Sequence, residues 1–201
     1  MINLFLKAKH WQLFILTVGV PFTAYFSMIG YIFSTVIGGN PNPADIFEVI
    51  WIFPLIMILF VGGTYCWMWS IAIGLQRSIP AEVKMKVMKF KIFFLYPFVY
   101  ILLIILTVIV VLSIDMSGFE PKALIVLVPL VILMHLFAIF CSFYSLYFVA
   151  KAIKTALLQR ETRFSEFTEE FFLVWFYPVG VWILQPRINR LIEEERLEDR
   201  F

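Results

Sequence analysis

The side chains best equipped for chemistry are few, and they lie in apolar surroundings. His135 stands one turn ahead of Ala138, with Cys141, Ser142 and Ser145 following on the same uncharged stretch. A histidine near a hydroxyl or thiol is the raw material of a nucleophile and its base. Such a pair also needs a group that orients the base, and this stretch holds no carboxylate. The second histidine, His10, is remote, and no HExxH, Gly-rich phosphate loop or GxSxG is present. The two cysteines, Cys66 and Cys141, form no CxxC and lie inside apolar segments. We therefore expect a protein that is not an enzyme, with no catalytic residue, no cofactor and no metal ligand. His135 keeps two meanings: an intramembrane ionisable group with a role of its own, or a neutral ring bonded to a neighbouring helix.

Small and weakly polar residues form the other pattern. Gly19, Thr23, Ser27, Gly30 and Ser34 step by three or four and so share a helical face. Gly62, Cys66, Ser70 and Gly74 step by four, and Ala138, Ser142 and Ser145 repeat the theme. Such a stripe is a helix seam, where small residues let backbones approach, or the wall of a pore between subunits. The candidate pore or seam residues are Thr23, Ser27, Gly30, Ser34, Ser70, His135 and Ser142.

The elements that must carry these residues follow from hydropathy. Of 201 residues, 62% are hydrophobic and 15% charged, whereas a soluble domain carries about a quarter charged residues. A core of this size cannot absorb that much apolar surface, so the bilayer is the expected solvent. Four stretches lack Asp, Glu, Lys and Arg: Trp11–Ala44, Val49–Gln76, Ile92–Ile114 and Ala123–Ala150. Each exceeds the roughly 20 residues that cross a bilayer. The first exceeds a signal-peptide h-region, and is expected to be a retained helix ending near Ile37, before the breaker run GGNPNPAD. The spans are placed at about 11–37, 49–76, 92–114 and 123–150, within a bundle covering 1–160. The third, nearly pure Ile, Leu and Val from Ile101 to Leu112, is expected to face lipid. Of 16 basic residues, only Lys122 falls in the two loops that also hold Asp45, Glu48, Asp115 and Glu120. The positive-inside rule then places both termini in the cytoplasm, with the chain in the cell inner membrane. The loop SIPAEVKMKVMKFK is expected to form a short helix from Pro80. A net charge of +2 with no dense basic stripe argues against nucleic acid as a partner.

The second half echoes the first. Pro54, Leu55, Cys66, Trp69 and Ser70 correspond to Pro129, Leu130, Cys141, Tyr144 and Ser145, all offset by 75. Pro21-Phe22 matches Pro97-Phe98 at an offset of 76. A helical hairpin used twice, at about 10–78 and 88–153, implies a pseudo-two-fold axis along the membrane normal. The four prolines kink their helices, as hinges or as packing geometry.

Residues 161–201 are the most individual part. Ser165 is an expected helix cap, with Glu166 in the first turn. Residues 171–184, FFLVWFYPVGVWIL, are too short for a span, and a fifth crossing would strand Arg187, Arg190, Arg196 and Arg200 on the wrong side. Pro178 and Gly180 break the run, and Trp175, Tyr177 and Trp182 suit head groups. A separate helix is expected to follow from Pro186, with Arg190 paired to Glu194. The pattern Trp175-Phe176-Tyr177-Pro178-Val179-Gly180-Val181-Trp182 followed by Gln185-Pro186-Arg187-Ile188 resembles the tail of small bacterial four-span membrane proteins of unassigned function. The resemblance covers about 30 residues; it implies a bacterial source and carries no activity. Candidate docking or gating residues are Trp175, Pro178, Gly180, Trp182, Arg187 and Arg190.

The expected fold is all-α: a polytopic transmembrane four-helix bundle of two tandem hairpins, with a cytoplasmic interfacial or re-entrant helical tail. The expected function is a homo-oligomeric channel or membrane-perturbing effector controlled through that tail. The alternative is a scaffold or accessory subunit that docks a cytoplasmic partner protein. The lipid bilayer is the partner in either case.

Overall fold

Long apolar runs free of charge satisfy their backbone groups internally by forming helices, the one open-ended structure a bilayer tolerates. The computed structural model describes residues 2–38, 43–113 and 122–198, and these are helical or in short turns, with no strand among them. The helices are α1 (Ile2–Lys7), α2 (His10–Ile37), α3 (Pro43–Ile50), α4 (Ile52–Ser78), α5 (Val87–Ser113), α6 (Lys122–Leu158), α7 (Phe164–Trp175) and α8 (Tyr177–Glu198). Four of them, α2, α4, α5 and α6, contain stretches long and apolar enough to cross a membrane. The first ends at Ile37, where the breaker run begins. Much of that run (39–42), and the loop holding Asp115 and Glu120, fall outside the described residues.

By internal contact the chain forms two units, Met1–Val83 with Val149–Phe201, and Lys84–Phe148. In the first, α2 and α4 each contain one π turn, Ile15–Gly19 and Ile58–Gly62, and the two turns lie side by side. Their seam is a close one. A Cβ on Gly63 would lie 2.4 Å from Thr17 Cγ2, so only glycine admits the neighbouring helix there. The face of α2 buried in this unit runs through Leu13, Thr17, Pro21 and Met28.

The second unit is held by an aromatic ladder between α5 and the first part of α6. Phe90 stacks on Phe148 at 4.6 Å, Phe93 meets Tyr144 at 5.0 Å, Tyr96 meets Phe137 at 4.7 Å and Tyr100 meets His135 at 5.7 Å. As one partner's number rises the other's falls, so the helices are antiparallel. Lys89 Nζ lies 5.0 Å over the Tyr144 ring and 5.1 Å over the Phe93 ring, a cation–π pair at the entry to α5. The stretch of α5 expected to face lipid is exposed over residues 101–110, apart from a half-buried Ile104. Its first turns instead bury Phe90, Phe94, Pro97 and Tyr100.

Three local expectations are corrected. No helix forms from Pro80: residues 80–86 are turn and irregular chain, with Val83 N–H donating to Pro80 O (3.0 Å). Lys84 and Lys86 alternate with Met85 and Val87 at a period of two, which offers a helix no apolar face. The cap of α7 is Arg163, not Ser165. Its N–H donates to Glu166 Oε2 (2.8 Å), and that carboxyl is held below its usual pKa chiefly by its hydrogen bond to Arg160. The break near Pro178 falls at Phe176 (φ −86°, ψ 59°), close to an inverse γ geometry. Pro178 then occupies the first turn of α8, where its missing N–H costs nothing, and α8 continues unbroken through Pro186 to Glu198.

Candidate functional site

The turn at Phe176 makes α7 and α8 a helical hairpin. Gly180 lies against Leu173, and Arg187 pairs with Glu169 (3.0 Å) and Glu170 (3.6 Å), so the two helices run antiparallel. A Cβ at Gly180 would stand 1.7 Å from the Leu173 carbonyl oxygen. Gly180 is therefore required by a close approach, a role distinct from the helix breaker expected from sequence.

The hairpin is laid along α2 in a regular register. Gln185 Nε2 lies 2.9 Å from Ala8 O, and also reaches Phe5 O (3.1 Å) and Leu6 O (3.2 Å). About one turn on, the Trp182 ring stands 4.7 Å from His10 and 5.4 Å from Phe14. Further still, Tyr177 Oη lies 2.9 Å from Thr17 Oγ1. Eight residues of α8 thus run beside the first turns of α2, a rise of about 12 Å at 1.5 Å per residue.

Each end of this register is a buried polar node. Trp67 Nε1, a donor only, gives its hydrogen to Gln185 Oε1 at 2.7 Å, which fixes the amide orientation. Gln185 is fully buried, so its satisfied amide ties α8, α1 and α4 together. At the other end, Thr17 Oγ1 lies 2.7 Å from Leu13 O. Threonine has one hydroxyl proton, so the satisfied chain runs from Tyr177 through Thr17 to the Leu13 carbonyl. The Tyr177 ring packs edge-on against Trp67 at 5.1 Å.

A charged cluster lies further along the hairpin. Glu170 is fully buried, with Oε1 2.9 Å from Lys154 Nζ and 3.6 Å from Arg187. Its Oε2 has no partner among the described residues. Beyond it a cavity of about 470 Å³ opens between the end of α4, the α6–α7 turn and α8.

The predicted site residues scatter. Thr23, Ser27, Gly30 and Ser34 are exposed and take no part in the α2–α4 seam, which uses the opposite face. Thr23 donates to Gly19 O and Val20 O, and Ser34 to Tyr31 O, so these hydroxyls are satisfied within their own helix. Ser70 and Ser142 bond back to Cys66 O and Ala138 O. His135 is exposed beside Tyr100. Of the hairpin residues, Gly180 is buried and Pro178 and Arg187 are half-buried, while Trp175, Trp182 and Arg190 are exposed. The Arg190–Glu194 pair does not form; instead Arg77 Nε meets Glu195 at 3.3 Å. The sequence reading missed Thr17, Trp67, Glu170, Tyr177 and Gln185 as a set. The available signal was a carboxylate, Glu170, and an amide, Gln185, at the two borders of the apolar run 171–184. No group of three or more His, Cys, Asp or Glu among the described residues is placed to hold a metal ion. Compared with known protein families, curated proteins and solved structures, the chain matches none.

Proposed function

We propose that this chain is a non-enzymatic, membrane-perturbing protein whose C-terminal hairpin re-enters the cytoplasmic leaflet as a wedge. One observation carries the reading: the Tyr177–Thr17 contact, seven residues into a helix apolar enough to span. Whatever surrounds Thr17 also surrounds the hairpin tip. There Phe176 (61% exposed) and Val179 (59% exposed) face outward with Phe172 and Trp175. A tip about 12 Å deep stops within one leaflet of a core about 30 Å thick. Extra volume in one leaflet drives curvature.

The rest of the architecture belongs to the same proposal. Two tandem hairpins form a four-helix bundle in a bacterial inner membrane, with both termini cytoplasmic. Charge asymmetry supports the orientation. The exposed face of Thr23, Ser27, Gly30 and Ser34 favours a second reading, a homo-oligomeric channel whose wall forms between subunits. The scaffold reading draws less support, because Gly180 and Arg187 are engaged within the chain.

Reconstitution into liposomes tests the proposal. The native protein should convert extruded vesicles into tubules or smaller vesicles, and Phe176→Lys with Val179→Lys should abolish this while the helical spectrum stays unchanged. In a chain with Cys66 and Cys141 replaced by alanine, Val179→Cys should resist an aqueous maleimide in intact membranes and Ser165→Cys should react. Rapid labelling at position 179 would sink the re-entrant reading. Ion flux without any change of vesicle shape would favour the channel.

A further inference from the structure

The cavity at the base of the hairpin is built from charged side chains that are not all engaged. Arg77, Arg187, Arg190, Glu194 and Glu195 line it. Glu195 is taken by Arg77 Nε (3.3 Å) and by the Ser78 hydroxyl (3.0 Å). Arg187 is held by Glu169 and Glu170. Among the described residues, none accepts from the terminal nitrogens of Arg77 or from Arg190, and none donates to Glu194.

Gln159 forms part of the same wall in a left-handed conformation (φ 52°) that a glutamine rarely adopts. It is pinned there by its own Nε2, which donates to Ser78 O (2.9 Å) and Ala156 O (2.6 Å). It follows the last residue of α6, so the left-handed turn ends that helix and sets the edge of the cavity. The cavity's volume, about 470 Å³, lies in the range of ligand pockets. The apolar part of the wall, Ile79, Leu157 and Leu191, continues from the ends of two candidate spans, which stop at Ser78 and Leu158. Basic pockets at such span ends meet lipid head groups.

We propose that this cavity binds a phosphoethanolamine group. The phosphate sits on the open nitrogens of Arg77 and Arg190, for which guanidinium forks are suited. The ammonium pairs with Glu194. The group can come from a phosphatidylethanolamine of the surrounding leaflet or from a soluble phosphoethanolamine, and the apolar wall favours the lipid. Only this choice of source rests on the spans being in a membrane.

The test uses the full chain in detergent, so it stands apart from whether the hairpin enters a leaflet. Thermal midpoints are measured while titrating dihexanoyl-phosphatidylethanolamine, free phosphoethanolamine or inorganic phosphate. The short-chain lipid should raise the midpoint and saturate. Arg190→Gln should leave the ligand-free midpoint in place, because nothing among the described residues accepts from its guanidinium, and should weaken binding about tenfold or more, as loss of a charge-assisted bond does. Glu194→Gln should reduce the preference for phosphoethanolamine over inorganic phosphate. An equal response to free phosphoethanolamine supports the site and assigns the soluble source. No response to either, an equal response to inorganic phosphate, or full binding by Arg190→Gln would overturn it.

Discussion

Tyr177 Oη lies 2.9 Å from Thr17 Oγ1, joining the tip of the C-terminal hairpin to the interior of the first long apolar helix. The bond spans 160 residues of sequence. Tyr177→Phe removes the donor to Thr17 Oγ1 and should lower the thermal midpoint in detergent, at a cost of about 1 kcal/mol.

Gly180 and Gly30 should respond in opposite ways to alanine. At Gly180 the new methyl would meet the Leu173 carbonyl at 1.7 Å, so the hairpin must open; a loss of about 3 kcal/mol or more is expected. At Gly30 nothing lies within 4 Å, so the folded chain should be unaffected. If the exposed stripe packs between subunits, Gly30→Ala will instead change the mass of the detergent-solubilised particle, measured by light scattering.

The Glu170 cluster predicts an asymmetry. Lys154→Met removes the nearer of the two cations from a fully buried carboxyl, leaving only Arg187 at 3.6 Å, and should cost about 3 kcal/mol. Glu170→Gln should cost less, because Lys154 and Arg187 retain partial exposure and can reach water. Denaturant titration of the two variants, in the same detergent, compares them. A larger loss for Glu170→Gln would contradict the assignment of Glu170 as the costly partner.

Trp67 and Gln185 should behave as a coupled pair. Trp67→Phe leaves Gln185 Oε1 buried without its donor, a cost of about 1–3 kcal/mol. Gln185→Leu removes the amide that three carbonyls of the N-terminal segment share. The double variant should be less destabilised than the two singles added together, by a coupling of at least about 0.5 kcal/mol in a double-mutant cycle.

Much of the architecture was legible in one dimension. Charge-free runs longer than a bilayer is thick specify long apolar helices whatever surrounds them, because each helix satisfies its own backbone. The end of the first at Ile37 was equally local, set by the Gly and Pro run that follows. The length of residues 171–184 already excluded an ordinary crossing.

Which face of a helix meets which partner was decided only in three dimensions. The stripe through Thr23, Ser27, Gly30 and Ser34 and the face through Leu13, Thr17, Pro21 and Met28 both recur at helical spacing. The fold buries the second, because the π turn at Ile15–Gly19 and Gly63 bring α4 against Thr17. Likewise Pro186, a plausible helix start by local rules, lies within α8, whose flanking residues are anchored by Gln185 to α1 and α4. Periodicity records how a helix is sided. The bonds from Gln185 and Tyr177 depend on segments far away in sequence, and their geometry exists only once the chain has closed on itself.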